Sequence, residues 1–193
     1  MSRTKVFDEN AVLDKAVKLF WEKGFLATSA EDLVSTLGIS RSSLYDTYGD
    51  KKKLFIKSLK RYIGTQSETL ISSLSSSENA KESIYEIFTD LIKNNPDDNN
   101  QYGCLIVNTS IEFSCQETEI KDLIEKNNQK IIKALRFLIK KNQDNGKMSN
   151  QTNPEKIAQF IFNTIIGLRV NAKAGTSFEK MKNITDVALS VIY

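Results

Sequence analysis

The chain has 193 residues, enough for one large domain or two small ones with a real core, and 40% apolar with 26% charged residues is an ordinary globular composition. No apolar run approaches the ~20 residues a bilayer span requires, and the N-terminal "MSRTKVFDEN" lacks the apolar core of a signal peptide, so a cytoplasmic protein is expected. Histidine is absent, which removes the commonest general base and metal ligand; no enzyme, cofactor, catalytic residue or metal site is expected.

In chain order the pattern is helical almost throughout. Asp8 is a good N-cap for a first helix with Leu13, Ala16, Val17 and Phe20 at helical spacing, ended by Gly24. Thr28 with Glu31 fits a capping box for a short helix whose apolar face is Leu33, Val34 and Leu37, ended by Gly38. Ser40 caps another short helix, Arg41 to Thr47. A further helix starts at Lys51 and runs into the low seventies before the serine-rich break "SSLSSSEN". Beyond it come a helix with Ile84, Ile87, Phe88 and Leu91, the loop "NNPDDNNQYG", the short apolar helix "CLIVNTSIEF", and a long amphipathic helix from Glu117 to about Lys141. Asn153-Pro154-Glu155 starts a helix to about Lys173, and Thr176 with Glu179 offers a capping box for the last one, Phe178 to Ile192. The fold expected is all-α, with the helix 51–74 joining an N-terminal part, 1–50, to a larger C-terminal one, 51–193.

Charge is uneven. Residues 1–63 hold 12 Lys/Arg against 8 Asp/Glu, and the rest 15 against 16, so the net +3 comes from the N-terminal third. That is a modest footprint for a polyanionic partner. Within this third, "LVSTLGISRSSLYDTYGDKKKLF" reads as two short helices joined by a tight turn at Gly38. Leu44 and Tyr48 point inward with Ile39, which turns Ser42, Ser43 and Asp46 outward, with Arg41, Tyr45 and Thr47 on the flanks. Small hydroxyls allow close approach to a major groove, Arg41 can reach a guanine edge or a phosphate, and Lys51, Lys52 and Lys53 stand where free backbone N–H groups also favour phosphate. A P-loop would need GxxxxGK[ST] after a strand, and neither is present. A plain helical hairpin with solvated lysines is the competing reading from physics alone.

The spacing of Phe20, Gly24, Phe25 and Thr28, followed by "LGIS", "SLY" and "GDKKKLF", resembles the DNA-binding domain of the TetR family of transcriptional regulators over the first ~60 residues. "GCLIVNTSIEF" is similar to a segment of some AcrR-like members. The resemblance implies about nine helices, a helix-turn-helix DNA-binding domain over 1–50 and a ligand-binding and dimerisation domain over 51–193, a homodimer, and a repressor released from a palindromic double-stranded operator by a small-molecule effector. It carries DNA contacts over to Ser29, Ser40, Arg41, Ser42, Ser43, Tyr45, Thr47 and Lys51. Asp46 departs from many members; it would repel phosphate, and accepting from a cytosine amino group or capping locally are the roles open to it.

The last two helices carry more apolar residues than one buried face needs. A partner interface is therefore expected at Phe160, Ile161, Leu168, Met181, Ile184, Val187 and Val191. Polar or aromatic residues within apolar stretches are the candidates for an effector pocket: Tyr85, Phe88, Tyr102, Asn108, Phe113, Asn127, Asn163 and Thr164. Nothing in them identifies the effector. Cys104 and Cys115 would share one face of a continuous helix, ~16 Å apart along its axis and beyond disulfide reach. A redox-responsive regulator using either cysteine, and a helical adaptor without DNA binding, are the alternative functions.

Overall fold

A computed structural model describes residues 7–93, 102–113 and 117–192, with backbone alone at 191 and 192. Most of the "NNPDDNNQYG" loop, and Cys115, lie outside the described residues. Among those described there are ten α-helices and one π-helical turn, and no strand.

The first three helices form because short-range signals agree. Asp8 accepts from Asn10 N at 2.8 Å and starts α1 (Glu9–Lys23), which buries Val12, Ala16, Leu19 and Phe20. Ser29, not Thr28, caps α2 (Ala30–Leu37): its hydroxyl accepts from Asp32 N, and the Asp32 carboxylate accepts from Ser29 N. The Thr28 hydroxyl instead donates to Gly24 O at 2.5 Å, so the capping box is shifted by one residue from the sequence expectation. Gly38, at φ 69 and ψ 28, makes the left-handed turn into α3 (Arg41–Tyr48), which Ser40 caps.

Asp50 caps α4 (Lys51–Tyr62), which continues through a π-helical turn (Ile63–Ser67) into α5 (Glu68–Ser76) as one rod. Counted this way there are nine rods among the described residues. The π turn was not legible as such. Gly64, a weak helix former, lies in it, and the Thr65 hydroxyl donates to the carbonyls of Arg61 and Tyr62 at 3.2 and 3.1 Å.

The body adds α6 (Ala80–Ile92), α7 (Leu105–Phe113), α8 (Thr118–Asp144), α9 (Pro154–Lys173) and α10 (Phe178–Ile192). At the start of α10 the Thr176 hydroxyl meets Asn171 Oδ1 at 3.1 Å, and the first backbone bond runs from Met181 N to Ser177 O, so the expected Thr176–Glu179 box does not form.

Two apolar cores result, and their boundary does not fall at residue 50. The first joins α1–α4 to the α7 residues Leu105 and Ile106, to Cys104, and to Ile120 and Ile124 of α8. At its centre Phe55 packs edge-on to Phe20 and Phe25, with ring centroids 5.0 and 5.2 Å away, and against Phe113 at 5.4 Å. Aromatic pairs of this kind add about 0.5–1.5 kcal/mol each beyond their burial. Trp21 Nε1 donates to Gly103 O at 3.0 Å across the same seam. The second core is built from α5, α6, α8, α9 and α10, around Phe88, Leu135, Leu138, Ile161 and Leu168. No helix among the described residues is long and apolar enough to cross a membrane.

Candidate DNA-reading face and effector region

The inward residues of α3 are Leu44 and Tyr48, 2% and 4% exposed, with Ile39 before them at 8%. They fix α3 on α1, α2 and α4 and leave Arg41, Ser42, Asp46 and Ser40 exposed, with Ser43, Tyr45 and Thr47 half-buried on the flanks. The Ser40 hydroxyl accepts from Ser43 N at 3.1 Å and lies 3.0 Å from the Ser42 hydroxyl and 2.9 Å from that of Ser43. Three hydroxyls thus gather at the N-terminus of α3, where unpaired backbone N–H groups and the helix dipole favour an anion. Ser29, at the N-cap of α2, is also exposed.

The cations near this face are not equally free. Arg41 stands with its guanidinium carbon 5.9 Å from the Tyr45 ring centroid and its Nη1 3.9 Å from Glu31 Oε1; this pair is solvent-exposed and weak. Lys51 sits 4.5 Å over the Phe25 ring and Lys57 5.2 Å over that of Tyr48. Lys53 lies 3.8 Å from Asp50, and Lys52 is bridged to Glu117 at the start of α8. The triple lysine is therefore divided between the reading face, the aromatic seam and the body.

One residue that sequence reasoning passed over joins the two regions. Glu112, near the end of α7, accepts from Phe25 N through Oε2 at 2.9 Å and from Leu26 N through Oε1 at 2.6 Å. These N–H groups belong to the turn between α1 and α2. Gly24 begins that turn at φ 81, and a Cβ there would meet the Glu112 carboxylate at 3.2 Å. A single acid in "SIEF" has no periodicity to mark it, and only the fold brings it to the turn.

The effector candidates do not share one site. Phe88 is 1% exposed and belongs to the second core, whereas Tyr85 is 55% exposed. Tyr102 lies beside Trp21, and its carbonyl accepts from Asn108 Nδ2 at 2.9 Å. Asn163 is exposed, and the Thr164 hydroxyl bonds back to Phe160 O at 3.0 Å. Phe113 borders a cavity of about 160 Å³ between α7 and α8, Asn108 a cleft of about 340 Å³, and Asn127 another of about 190 Å³ between α7, α8 and α9. Arg169, unremarked in the sequence, borders the last two.

The expected partner residues divide in the same way. Phe160, Ile184 and Val187 are exposed at 41%, 42% and 63%. Ile161, Leu168 and Met181 are at most 1% exposed and are spent on the protein's own second core, because the stripes of α9 and α10 that face α6 and α8 take them. The Val191 side chain lies outside the described residues. Val170 and Phe178, 44% and 49% exposed, join the apolar surface instead.

The family model for bacterial regulatory proteins of the tetR family matches residues 12–57, and that for the tetracyclin repressor-like C-terminal domain matches 80–187. The chain is 31% identical over 193 residues, covering both proteins completely, to the uncharacterized HTH-type transcriptional regulator YezE of Bacillus subtilis. It is 29% identical to the HTH-type transcriptional repressor ComR of Escherichia coli, over 97% of this chain and 90% of that one. A solved structure of a cysteine mutant of the TetR family regulator CifR, complexed with 26-base-pair operator DNA, superposes with a TM-score of 0.84 over 100% of both chains at 23% identity, a likeness of fold. Matched along its whole length by such a relative, and over its C-terminal part by the family's own domain model, the chain belongs to the TetR family of DNA-binding transcriptional regulators.

Proposed function

We propose that this protein is a cytoplasmic, non-enzymatic repressor that binds a palindromic operator as a homodimer and leaves it when a small effector occupies the body. Residues 1–50 are the reading unit, 51–193 the effector-binding and dimerisation unit, and the rod from α4 to α5 the link. The observation that carries this reading is the outward face of α3: hydroxyls and Arg41 presented at a capped helix start, on a head whose inward side is fully packed. Ser29, Ser40, Arg41, Ser42, Ser43, Tyr45, Thr47 and Lys51 make the contacts. ComR, a repressor by name, and the operator-bound CifR structure support the reading. The exposed Phe160, Ile184 and Val187 supply the start of the partner surface.

The test is fluorescence anisotropy on duplexes flanking the protein's own gene, across a salt series. Arg41→Ala is expected to lose about 1–3 kcal/mol and to relax base preference at one position per half-site. Lys51→Gln is expected to weaken all duplexes equally and flatten the salt slope by about one. Both variants binding as the wild type does would remove the helix-turn-helix assignment.

One contact favours a second reading. Arg169 Nη1 points at Cys104 Sγ from 3.0 Å, and the Tyr62 hydroxyl lies 3.8 Å from the same sulfur. Burial pushes the Tyr62 phenol well above its ordinary pKa, so it stays a neutral O–H. Electropositive surroundings of this kind are where sensing cysteines are found; hydrogen peroxide would convert the thiol to a sulfenic acid and release water. Cys104 is only 2% exposed, which weighs toward the effector reading. Peroxide releasing DNA from the wild type but not from Cys104→Ser would reverse that weighting.

A further inference from the structure

α8 buries two asparagines, and they differ in one respect. Asn142, 2% exposed, uses both ends of its amide: Nδ2 donates to Leu138 O at 2.9 Å, and Oδ1 accepts from Ala80 N at 3.2 Å. It ties α6 to α8, and that is explanation enough for it. Asn127, 3% exposed, has Nδ2 at 3.5 Å from Asn128 Oδ1, while its own Oδ1 has no hydrogen-bond partner among the described residues. It stands on the buried stripe between Ile124 and Ile131. A buried amide oxygen without a donor is destabilising, and native proteins keep such a group for a reason.

What surrounds this residue supplies the reason. Asn127 borders the cleft of about 190 Å³ between α7, α8 and α9, whose sides are apolar through Ile106, Val107, Phe162 and Ile166. Half-buried Arg169 borders the same cleft, and among the described residues no acidic one lines it. The geometry points to a ligand site for a small carboxylate that also carries a hydroxyl or amide N–H. The carboxylate meets the part of the Arg169 guanidinium left by its Nη1 contact with Cys104 Sγ, a planar fork that suits two oxygens; the Asn127 amide, whose Oδ1 is buried as it stands, turns to accept from the ligand's O–H or N–H; the apolar body lies between Val107 and Ile166. A single cation and a mainly apolar wall suit a monoanion better than a phosphate ester.

The site rests on the effector-released reading and gives it a route. α7, one wall of this cleft, carries near its end Glu112, which holds the α1–α2 turn. The neighbouring cleft of about 340 Å³ shares Val107, Ile111, Arg169 and Val170 with it and reaches Gly24 itself. A ligand that displaces α7 therefore acts on the turn that precedes α2.

The experiment is isothermal titration of the full-length protein, without DNA, with two matched pairs: 4-hydroxybenzoate against benzoate, and 3-hydroxybutyrate against butyrate. In at least one pair the hydroxylated acid is expected to bind about tenfold more tightly. Asn127→Leu is expected to raise Tm and to abolish that preference, and Arg169→Gln to weaken both members of the pair about tenfold or more. No binding of any of the four acids at millimolar concentration overturns the proposal. So does binding in which the preference for the hydroxyl survives Asn127→Leu, or in which Arg169→Gln changes nothing. Duplex binding is measured separately. Acid binding without any duplex binding would leave the site standing and remove the regulator reading; the reverse would remove only the site.

Discussion

The head and the body spend their apolar residues differently. α3 puts Leu44 and Tyr48 inward and shows solvent hydroxyls, Arg41 and Asp46, so its free surface is polar. α9 and α10 pack Ile161, Leu168 and Met181 inward and still expose Phe160, Val170, Phe178, Ile184 and Val187. A polar outward helix on a well-packed support suits a charged, hydrated partner, and an apolar one suits a second protein surface. The contrast stops at the inner side. The head shares its core with the body: Phe55 of α4 packs edge-on to Phe20 and Phe25 and against Phe113 of α7, and Phe25 and Phe113 also meet, with ring centroids 5.0 Å apart. The head and α7 therefore share one seam, while the apolar outer face of α9 and α10 rests on the second core, so a change in α7 is what the head can feel.

The largest effect comes from breaking the seam. Phe55→Ala removes a ring that is 0% exposed and should cost about 3–5 kcal/mol. Thermal unfolding should show the head and α7 lost together, with raised amide exchange at residues 104–113 as well as in α1. If exchange at 104–113 stays as in the wild type, the shared core is wrong and the head is independent.

Breaking the body's outer surface should come next. Ile184→Glu with Val187→Glu places two charges where exposed apolar residues stand now, without touching either core. Sedimentation is expected to show a monomer, with duplex affinity falling about a hundredfold or more because two half-sites are no longer held together. An unchanged dimer would move the partner surface elsewhere.

A smaller effect is expected at the clamp. Glu112→Ala removes the acceptor from Phe25 N and Leu26 N and should cost about 1–3 kcal/mol. Exchange should rise at residues 25–29 and duplex affinity should fall, while α3 keeps its own caps. An unaltered affinity would sever the head from α7 at this point.

The smallest effect is one of pH. Lys23, then the Ser29 backbone N–H, hold the Asp32 carboxyl down to about 2 from the usual 3.8. A lowered folded value means the stabilisation is present above about 3.8 and is lost as pH falls through about 2. Tm against pH over that interval should be shallower in Asp32→Asn than in the wild type. Parallel curves would show that the capping box of α2 contributes nothing measurable.

Much of this was legible in the sequence, and the reason is range. Asp8, Ser40, Asp50 and Asn153 cap their helices within two or three residues, Gly38 turns the chain by its own φ, and the apolar period of each helix is written in its own residues. Near misses were also local: Ser29 rather than Thr28 caps α2, because both have an acid three residues on and only the backbone path selects one. The tertiary structure decided what depends on which helix arrives opposite. It took Ile161, Leu168 and Met181 into the core and left Ile184 and Val187 outside, although all five look alike in sequence. It satisfied Asn142 and left Asn127 without a donor on the same helix, because Ala80 N faces the first and a cleft borders the second. It brought Glu112 to a turn 86 residues earlier in the chain. Caps and periods are fixed by neighbours in sequence; burial, unpaired atoms and clamps are fixed by neighbours in space.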